Sequence, residues 1–296
     1  MNSFALKGTI PAIVTPFTTT GKVDLPALKK FIEFQIAGGV DGIVVCGSTG
    51  EAATLEIDEY ELVVKTVVEQ TKKRVPVIAG ASNNNTAKAV ELSKIAKKTG
   101  ANALLHTNPY YNKPTTAGLL AHFKAIVTAT NMPLVIYNVP GRTGANMSAE
   151  TSLKIVKEID HVIGIKEASG NIAQMMEIIK GAPRSFAVLS GDDALTLPLI
   201  AAGGVGIVSV VANEIPKQFS EMVRAALAGD FVKARELHYT WLDLMNVNFI
   251  ESNPIPVKTA LSFMGLMKES FRLPLTPMNP ANKNALVEVL KKHKLI

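Results

Sequence analysis

Short β-branched apolar runs alternate with amphipathic helical patterns eight times between Thr9 and Ala228. The spacing is about 30 residues, the size of one βα step. The predicted strands are 9–15, 42–46, 75–79, 103–106, 133–138, 162–166, 185–189 and 206–210. The helices predicted after them are 25–37, 58–70, 86–98, 117–129, 149–157, 172–180, 194–201 and 216–228. Nearly continuous apolar strands belong to a parallel sheet covered on both faces. Eight such units favour closure into an α/β (β/α)8 TIM barrel over an open, doubly wound sheet. Residues 1–229 read as the barrel catalytic domain and 230–296 as a C-terminal helical appendage. Its helices are expected over 231–247, 256–267 and 282–292, the last two separated by the proline-rich Leu273–Pro280.

Composition removes several functional classes. At 296 residues, 47% hydrophobic and 19% charged, the chain can bury a sizeable core and does not have the composition of a disordered one. No apolar run reaches the length of a membrane span, and residues 1–7 do not form a signal peptide, so a soluble cytoplasmic protein is expected. The single cysteine, Cys46, excludes a disulfide framework, and its apolar run Ile43–Cys46 makes it a small buried hydrophobe. The net charge of +6 is mild and scattered, apart from Lys291-Lys292-His293-Lys294, which reads as a solvated tail; no nucleic-acid or membrane partner is expected.

In a barrel of this kind the chemistry collects at the C-terminal ends of the strands. The sixth strand ends on Lys166, within Val162-Ile163-Gly164-Ile165-Lys166-Glu167-Ala168-Ser169-Gly170-Asn171. Desolvation there disfavours the ammonium and makes the neutral amine a nucleophile toward carbonyl carbon. A lysine that snorkels to solvent is the ordinary alternative. The fifth strand ends near Tyr137, and neighbouring parallel strands lie about 4.8 Å apart. The Tyr137 hydroxyl should therefore share a mouth with Lys166 and could carry protons during imine formation.

The second strand empties into Gly47-Ser48-Thr49-Gly50-Glu51, with two hydroxyls and exposed amides that suit a carboxylate. By itself this stretch would read as a polar turn before a helix capped by residues 54–58. After the fourth strand, Asn108-Pro109-Tyr110-Tyr111-Asn112-Lys113-Pro114 forms a stiff loop that serves as a subunit contact or a catalytic element. The paired Asp192 and Asp193 read as helix N-caps, because no third ligand is placed to complete a hard-cation site. The five histidines are scattered, so neither a zinc site nor a Ser-His-Asp triad is expected. Gly203-Gly204-Val205-Gly206 precedes a strand instead of following one, which rules out a dinucleotide fingerprint. With Arg142 near the mouth and no cofactor motif, the set suits Schiff-base chemistry on a keto acid, with no metal and no cofactor.

Four motifs carry a resemblance along essentially the whole chain: Gly47–Glu51, Tyr137-Asn138-Val139-Pro140-Gly141-Arg142-Thr143, Gly164–Asn171 and Asn253-Pro254-Ile255-Pro256-Val257-Lys258. The chain resembles the dihydrodipicolinate synthase / N-acetylneuraminate lyase family of lysine-dependent aldolases. The resemblance implies condensation of pyruvate with L-aspartate 4-semialdehyde, in lysine and diaminopimelate biosynthesis, by a likeness of fold and motif. It implies that Lys166 forms the imine and that Tyr137 shuttles protons through Ser48 to Tyr111, lent across a subunit interface. Ser48 stands where many members have threonine, and its hydroxyl preserves the relay. Thr49 would hold the pyruvate carboxylate, Arg142 the semialdehyde carboxylate, and Gly191 and Val208 would line the pocket through their backbones. Arg142 also argues against the sialic-acid and sugar-acid aldolases of the same superfamily.

A lysine-binding regulatory site is implied at Ala53, Ile57, Tyr60, Asn84, Lys88 and Tyr110. Sensitive members of one large group carry histidine and glutamate where this chain has Ile57 and Lys88, so feedback by lysine is expected to be weak or absent. The assembly implied is a homotetramer, a dimer of dimers. A silent barrel that senses a small carboxylate is the rival from another class.

Overall fold

The computed structural model describes residues 5–296. Its strands are β1 Gly8–Pro11, β2 Ile43–Val45, β3 Val77–Gly80, β4 Ala103–Thr107, β5 Leu134–Asn138, β6 Val162–Glu167, β7 Ala187–Ser190 and β8 Gly206–Ser209. Between and after them run α1 Leu25–Ala37, α2 Ile57–Thr71, α3 Thr86–Thr99, α4 Thr116–Thr130, the single turn α5 Pro140–Thr143 and α6 Ala149–Glu158. Then follow α7 Ile172–Gly181, α8 Thr196–Ala201, α9 Pro216–Leu227, α10 Phe231–Val247, α11 Ile255–Phe263 and α12 Pro280–Lys292.

All eight strands are parallel, in the order β1-β8-β7-β6-β5-β4-β3-β2. The seam between β1 and β2 is joined by Ile13 N donating to Val44 O at 2.9 Å and Asp41 N donating to Thr9 O at 2.8 Å. That makes the sheet a barrel. Alternate strand residues divide the core accordingly. Ile10, Val44, Ile78, Leu105, Val135, Leu189 and Val208 pack inside it. Ile43, Val77, Leu104, Ile136, Ile165 and Val188 pack outward among residues of the surrounding helices, such as Phe31, Val63, Phe123 and Ile178.

Local chemistry explains where most helices begin. Asp24, Asn85, Ser148 and Asn171 each cap a helix by accepting from a backbone N–H in its first turn, an arrangement worth about 1 kcal/mol. Helix α2 starts from a reciprocal Glu56–Glu59 capping box.

Several expected boundaries move. Strand β1 stops at Pro11, four residues earlier than expected. Ala12 N and Ile13 N still donate to Ser209 O and Val44 O, at 2.8 and 2.9 Å, but Val14 N turns to the Asn213 side chain at 3.1 Å instead of to a strand. Strand β6 runs one residue past Lys166, because Glu167 O accepts from Gly191 N at 2.8 Å. Helix α12 begins at Pro280, two residues earlier than expected, since proline suits a first helical turn and Asn279 caps it. Helix α11 ends at Phe263, and its C-terminus is followed by Gly265 with φ +73°. The N-caps expected at Asp192 and Asp193 are absent: α8 starts at Thr196 from Leu195, with no side-chain cap.

The C-terminal helices do not stand apart from the barrel. Trp241, Leu244 and Met245 of α10 and Leu286 and Leu290 of α12 share one core with Phe219 and Met222 of α9 and Ile207 of β8. Residues Ile255 to Leu261 of α11 are buried on every side, Lys258 included. No helix among the described residues is long and apolar enough to cross a membrane.

Candidate active site

The register of β5 against β6 makes Tyr137 and Lys166 direct neighbours, and Lys166 in turn pairs with Leu189 of β7. Tyr137 and Leu189 belong to the interior layer, so Lys166 shares the barrel interior with them. Its ammonium nitrogen lies 4.3 Å from the centroid of the Tyr137 ring. Both side chains are only 6% exposed. Burial lowers Lys166 to about 7, with Asp193 opposing the shift and Arg142 adding to it. A large fraction is therefore neutral amine near pH 7, as imine formation requires. Burial pushes the Tyr137 hydroxyl up to about 12, so it keeps its proton at neutral pH.

The stem of Lys166 needs room, and Gly191 supplies it. A Cβ at position 191 would lie 2.6 Å from Ala168 Cβ and 3.0 Å from Lys166 Cε. Any larger residue would crowd the amine.

These groups open on a cavity of about 790 Å3 lined by Lys166, Tyr137, Arg142, Ser48, Thr49 and Gly191. The structure thus brings six of the eight predicted catalytic and substrate-binding residues to one space. Val208 lies one layer deeper, 1% exposed in the barrel interior, and Val210 lines the cavity in its place. Tyr111 is 89% exposed, with φ +71°, and does not line the cavity of its own chain. Ala53, Ile57, Tyr60, Lys88 and Tyr110 line the same cavity, and Asn84 donates to Tyr110 O at 3.2 Å. Of these five, Tyr60 is buried with no partner for its hydroxyl among the described residues, whereas Ile57 and Tyr110 are exposed.

The Gly47–Glu51 turn is preceded by one residue with left-handed backbone, Cys46 at φ +53°, and ends on another, Glu51 at φ +52°. Such conformations persist only where surrounding contacts hold them. Glu51 is held from the far end of the chain: its carboxylate accepts from Lys258 Nζ at 2.5 Å and from Arg272 N at 3.1 Å. Glu51 and Lys258 side chains are both fully buried. Lys258 also lies over the Phe17 ring, 4.3 Å from its centroid.

Four positions escaped the sequence reading. Asp193 is not a cap: it is buried and accepts from Ser209 Oγ at 2.6 Å, Val211 N at 2.9 Å and Val210 N at 3.1 Å. Burial raises its carboxyl to about 6 despite those bonds. Glu167, on the outward face of β6, is fixed by Asn138 Nδ2 and Gln174 Nε2. Asn253 and Lys258 stood in a quoted motif without a role. For Lys258 a signal existed, since a lysine between Ile255-Pro256-Val257 and Thr259-Ala260-Leu261 sits in an apolar stretch and needs a buried partner. Among the described residues no three His, Cys, Asp or Glu side chains cluster where they could hold a metal ion.

The model of the dihydrodipicolinate synthetase family matches residues 5–293. The 4-hydroxy-tetrahydrodipicolinate synthase of Koribacter versatilis is 52% identical over 285 residues, 96% of this chain and 95% of that protein. The crystal structure of dihydrodipicolinate synthase from Aquifex aeolicus superposes with a TM-score of 0.96 at 47% identity, covering 98% of this chain and 99% of the other. The chloride-inhibited dihydrodipicolinate synthase of Acinetobacter baumannii, crystallised with pyruvate, gives 0.96 at 44% identity over 98% of this chain and 100% of the other. Likeness this high, sustained from one end of the barrel through the last helix, is likeness of sequence and fold together: the chain belongs to the dihydrodipicolinate synthetase family.

Proposed function

We propose that this chain condenses pyruvate with L-aspartate 4-semialdehyde through a Schiff base on Lys166, giving 4-hydroxy-tetrahydrodipicolinate in cytoplasmic lysine and diaminopimelate biosynthesis. The observation that carries the reading is a buried amine lowered to about 7 beside a tyrosine that keeps its proton, in a cavity that also holds Arg142.

The neutral Lys166 amine attacks the keto carbon of pyruvate, and loss of water leaves the protonated imine. That cation is an electron sink, so the adjacent methyl group can lose a proton to give an enamine. The enamine carbon attacks the aldehyde carbon, and the resulting oxyanion takes up a proton. The amino group of the semialdehyde then adds to the imine carbon, closing the ring and expelling the Lys166 amine. Tyr137, beside Lys166 in the cavity, would carry these protons, with Ser48 of the same cavity next in the relay. Thr49 and the adjacent amides suit the pyruvate carboxylate. The Arg142 guanidinium suits the second carboxylate bidentately. Tyr111 would enter the relay only from a second copy of the chain, which calls for a dimer; the family resemblance extends this reading to a homotetramer, a dimer of dimers.

The test is pyruvate consumption with and without semialdehyde, for the wild type and for Arg142→Ala. Turnover that depends on semialdehyde is expected, with the variant losing on the order of 100-fold in kcat/KM for semialdehyde while still trapping pyruvate. Identical condensation kinetics in the two proteins would remove the role of Arg142. A wild type that traps pyruvate yet ignores semialdehyde would point to a sugar-acid aldolase.

The same assay examines regulation. The Lys88 ammonium stands where a lysine effector would bring a second positive charge, and like charges repel. We infer that free lysine inhibits weakly or not at all. Strong inhibition at sub-millimolar lysine would overturn this.

A further inference from the structure

We propose that Asn253 is a positioning residue that ties the two carboxylate subsites together: its side-chain amide orients the Thr49 hydroxyl, and its main-chain carbonyl holds Arg142. The inference rests on the reading of Thr49 and Arg142 given above and extends the site to the C-terminal helical segment.

Asn253 Nδ2 donates to Thr49 Oγ1 at 2.9 Å, across 204 residues of sequence. Arg142 Nη2 donates to Asn253 O, also at 2.9 Å. All three residues line the cavity, with Thr49 3% and Asn253 6% exposed. A hydroxyl has one hydrogen to give. Because the amide N–H occupies an acceptor position on Thr49 Oγ1, the Thr49 hydrogen stays free to point at an anion in the cavity. The amide is not there to satisfy itself: Asn253 Oδ1 is buried and has no hydrogen-bond partner among the described residues. Burying an unpaired carbonyl carries a cost that packing alone would not favour.

The link is held rigidly. Asn253 immediately precedes Pro254, the residue from which α11 starts and whose carbonyl accepts from Lys258 N at 3.0 Å. Lys258 Nζ then grips Glu51, two residues beyond Thr49. The Gly47–Glu51 turn is thus joined to residues 253–258 at both Thr49 and Glu51.

The two contacts use different parts of Asn253, and that separates their effects. Asn253→Ala removes the amide and keeps the carbonyl. The pyruvate KM is expected to rise about tenfold, with the semialdehyde KM within about twofold of wild type. Asn253→Asp keeps the shape, draws the Thr49 hydrogen to itself and repels the pyruvate carboxylate. Its pyruvate KM is expected to rise by about 100-fold. In a Thr49→Val background, Asn253→Ala is expected to add nothing further. Borohydride-trapped pyruvate on Lys166, measured by mass spectrometry, accompanies each rate measurement. An unchanged pyruvate KM in both single variants overturns the proposal. So does an equal rise in both KM values, or a full additional loss on top of Thr49→Val. A wild type that traps no pyruvate overturns the parent reading itself, so the two failures are distinguishable.

Discussion

Lys166→Ala is expected to trap no pyruvate under borohydride and to lose turnover on the order of 10⁴-fold or more. Among the described residues, the only lysines lining the cavity are Lys166 and Lys88. Lys88 lies on α3, away from the ends of β5 and β6 that carry Tyr137 and Lys166. Thermal melts of the variant would show that the barrel is intact. A pyruvate adduct on that variant would remove the lysine assignment.

A pH arm strengthens the test. Burial holds Lys166 near 7, below its ordinary value of 10.5. The charged form accumulates as pH falls through that value, and only the neutral amine attacks. Adduct formation on the wild type is therefore expected to be about tenfold slower at pH 6 than at pH 8, and nearly flat above that. A rate still climbing tenfold per pH unit up to pH 10 would mean that the lysine is not desolvated in solution.

Lys258→Met is expected to destabilise the protein by about 3–5 kcal/mol, a change measured by urea or thermal unfolding. The substitution preserves most of the side-chain volume against Phe17 and Phe271 but leaves the Glu51 carboxylate buried without its ammonium. Replacing both partners, as Glu51→Gln/Lys258→Met, is expected to recover part of that loss, because no unpaired charge then remains inside. Glu51 ends the Gly47–Glu51 turn in a left-handed conformation, so the single variant should also weaken pyruvate binding. Wild-type stability in Lys258→Met would show that Glu51 finds another cation, and the nearest is Arg272, whose guanidinium bonds Glu59, Thr54 O and Gly21 O.

Local patterning carried the architecture. Strand and helix periods differ, so eight alternations of β-branched runs and helical stripes were readable without any contact known. Tyr137 and Lys166 were also within reach of the sequence, since each lies one residue from the end of one of two consecutive strands and parallel register makes consecutive strand ends neighbours. Ser48, Thr49, Gly191 and Arg142 follow from the same rule, each standing just past a strand end.

Val208 shows the limit of that rule. Side chains on one strand alternate between faces and layers, and a shift of two residues separates a core position from Val210 in the cavity wall. Asp193 shows another. Its sequence neighbours looked like a helix start, yet its hydrogen-bond partners lie on β8 and just beyond it, 16 to 18 residues later.

By itself, then, the sequence determined the barrel, its eight strands and the lysine–tyrosine pair, because burial period and strand order are local properties. Only the tertiary structure decided that Asn253 meets Thr49 across 204 residues and that Lys258 meets Glu51 across 207. Periodicity reports which face of an element is buried; it carries no information about which distant side chain will occupy the other half of a hydrogen bond.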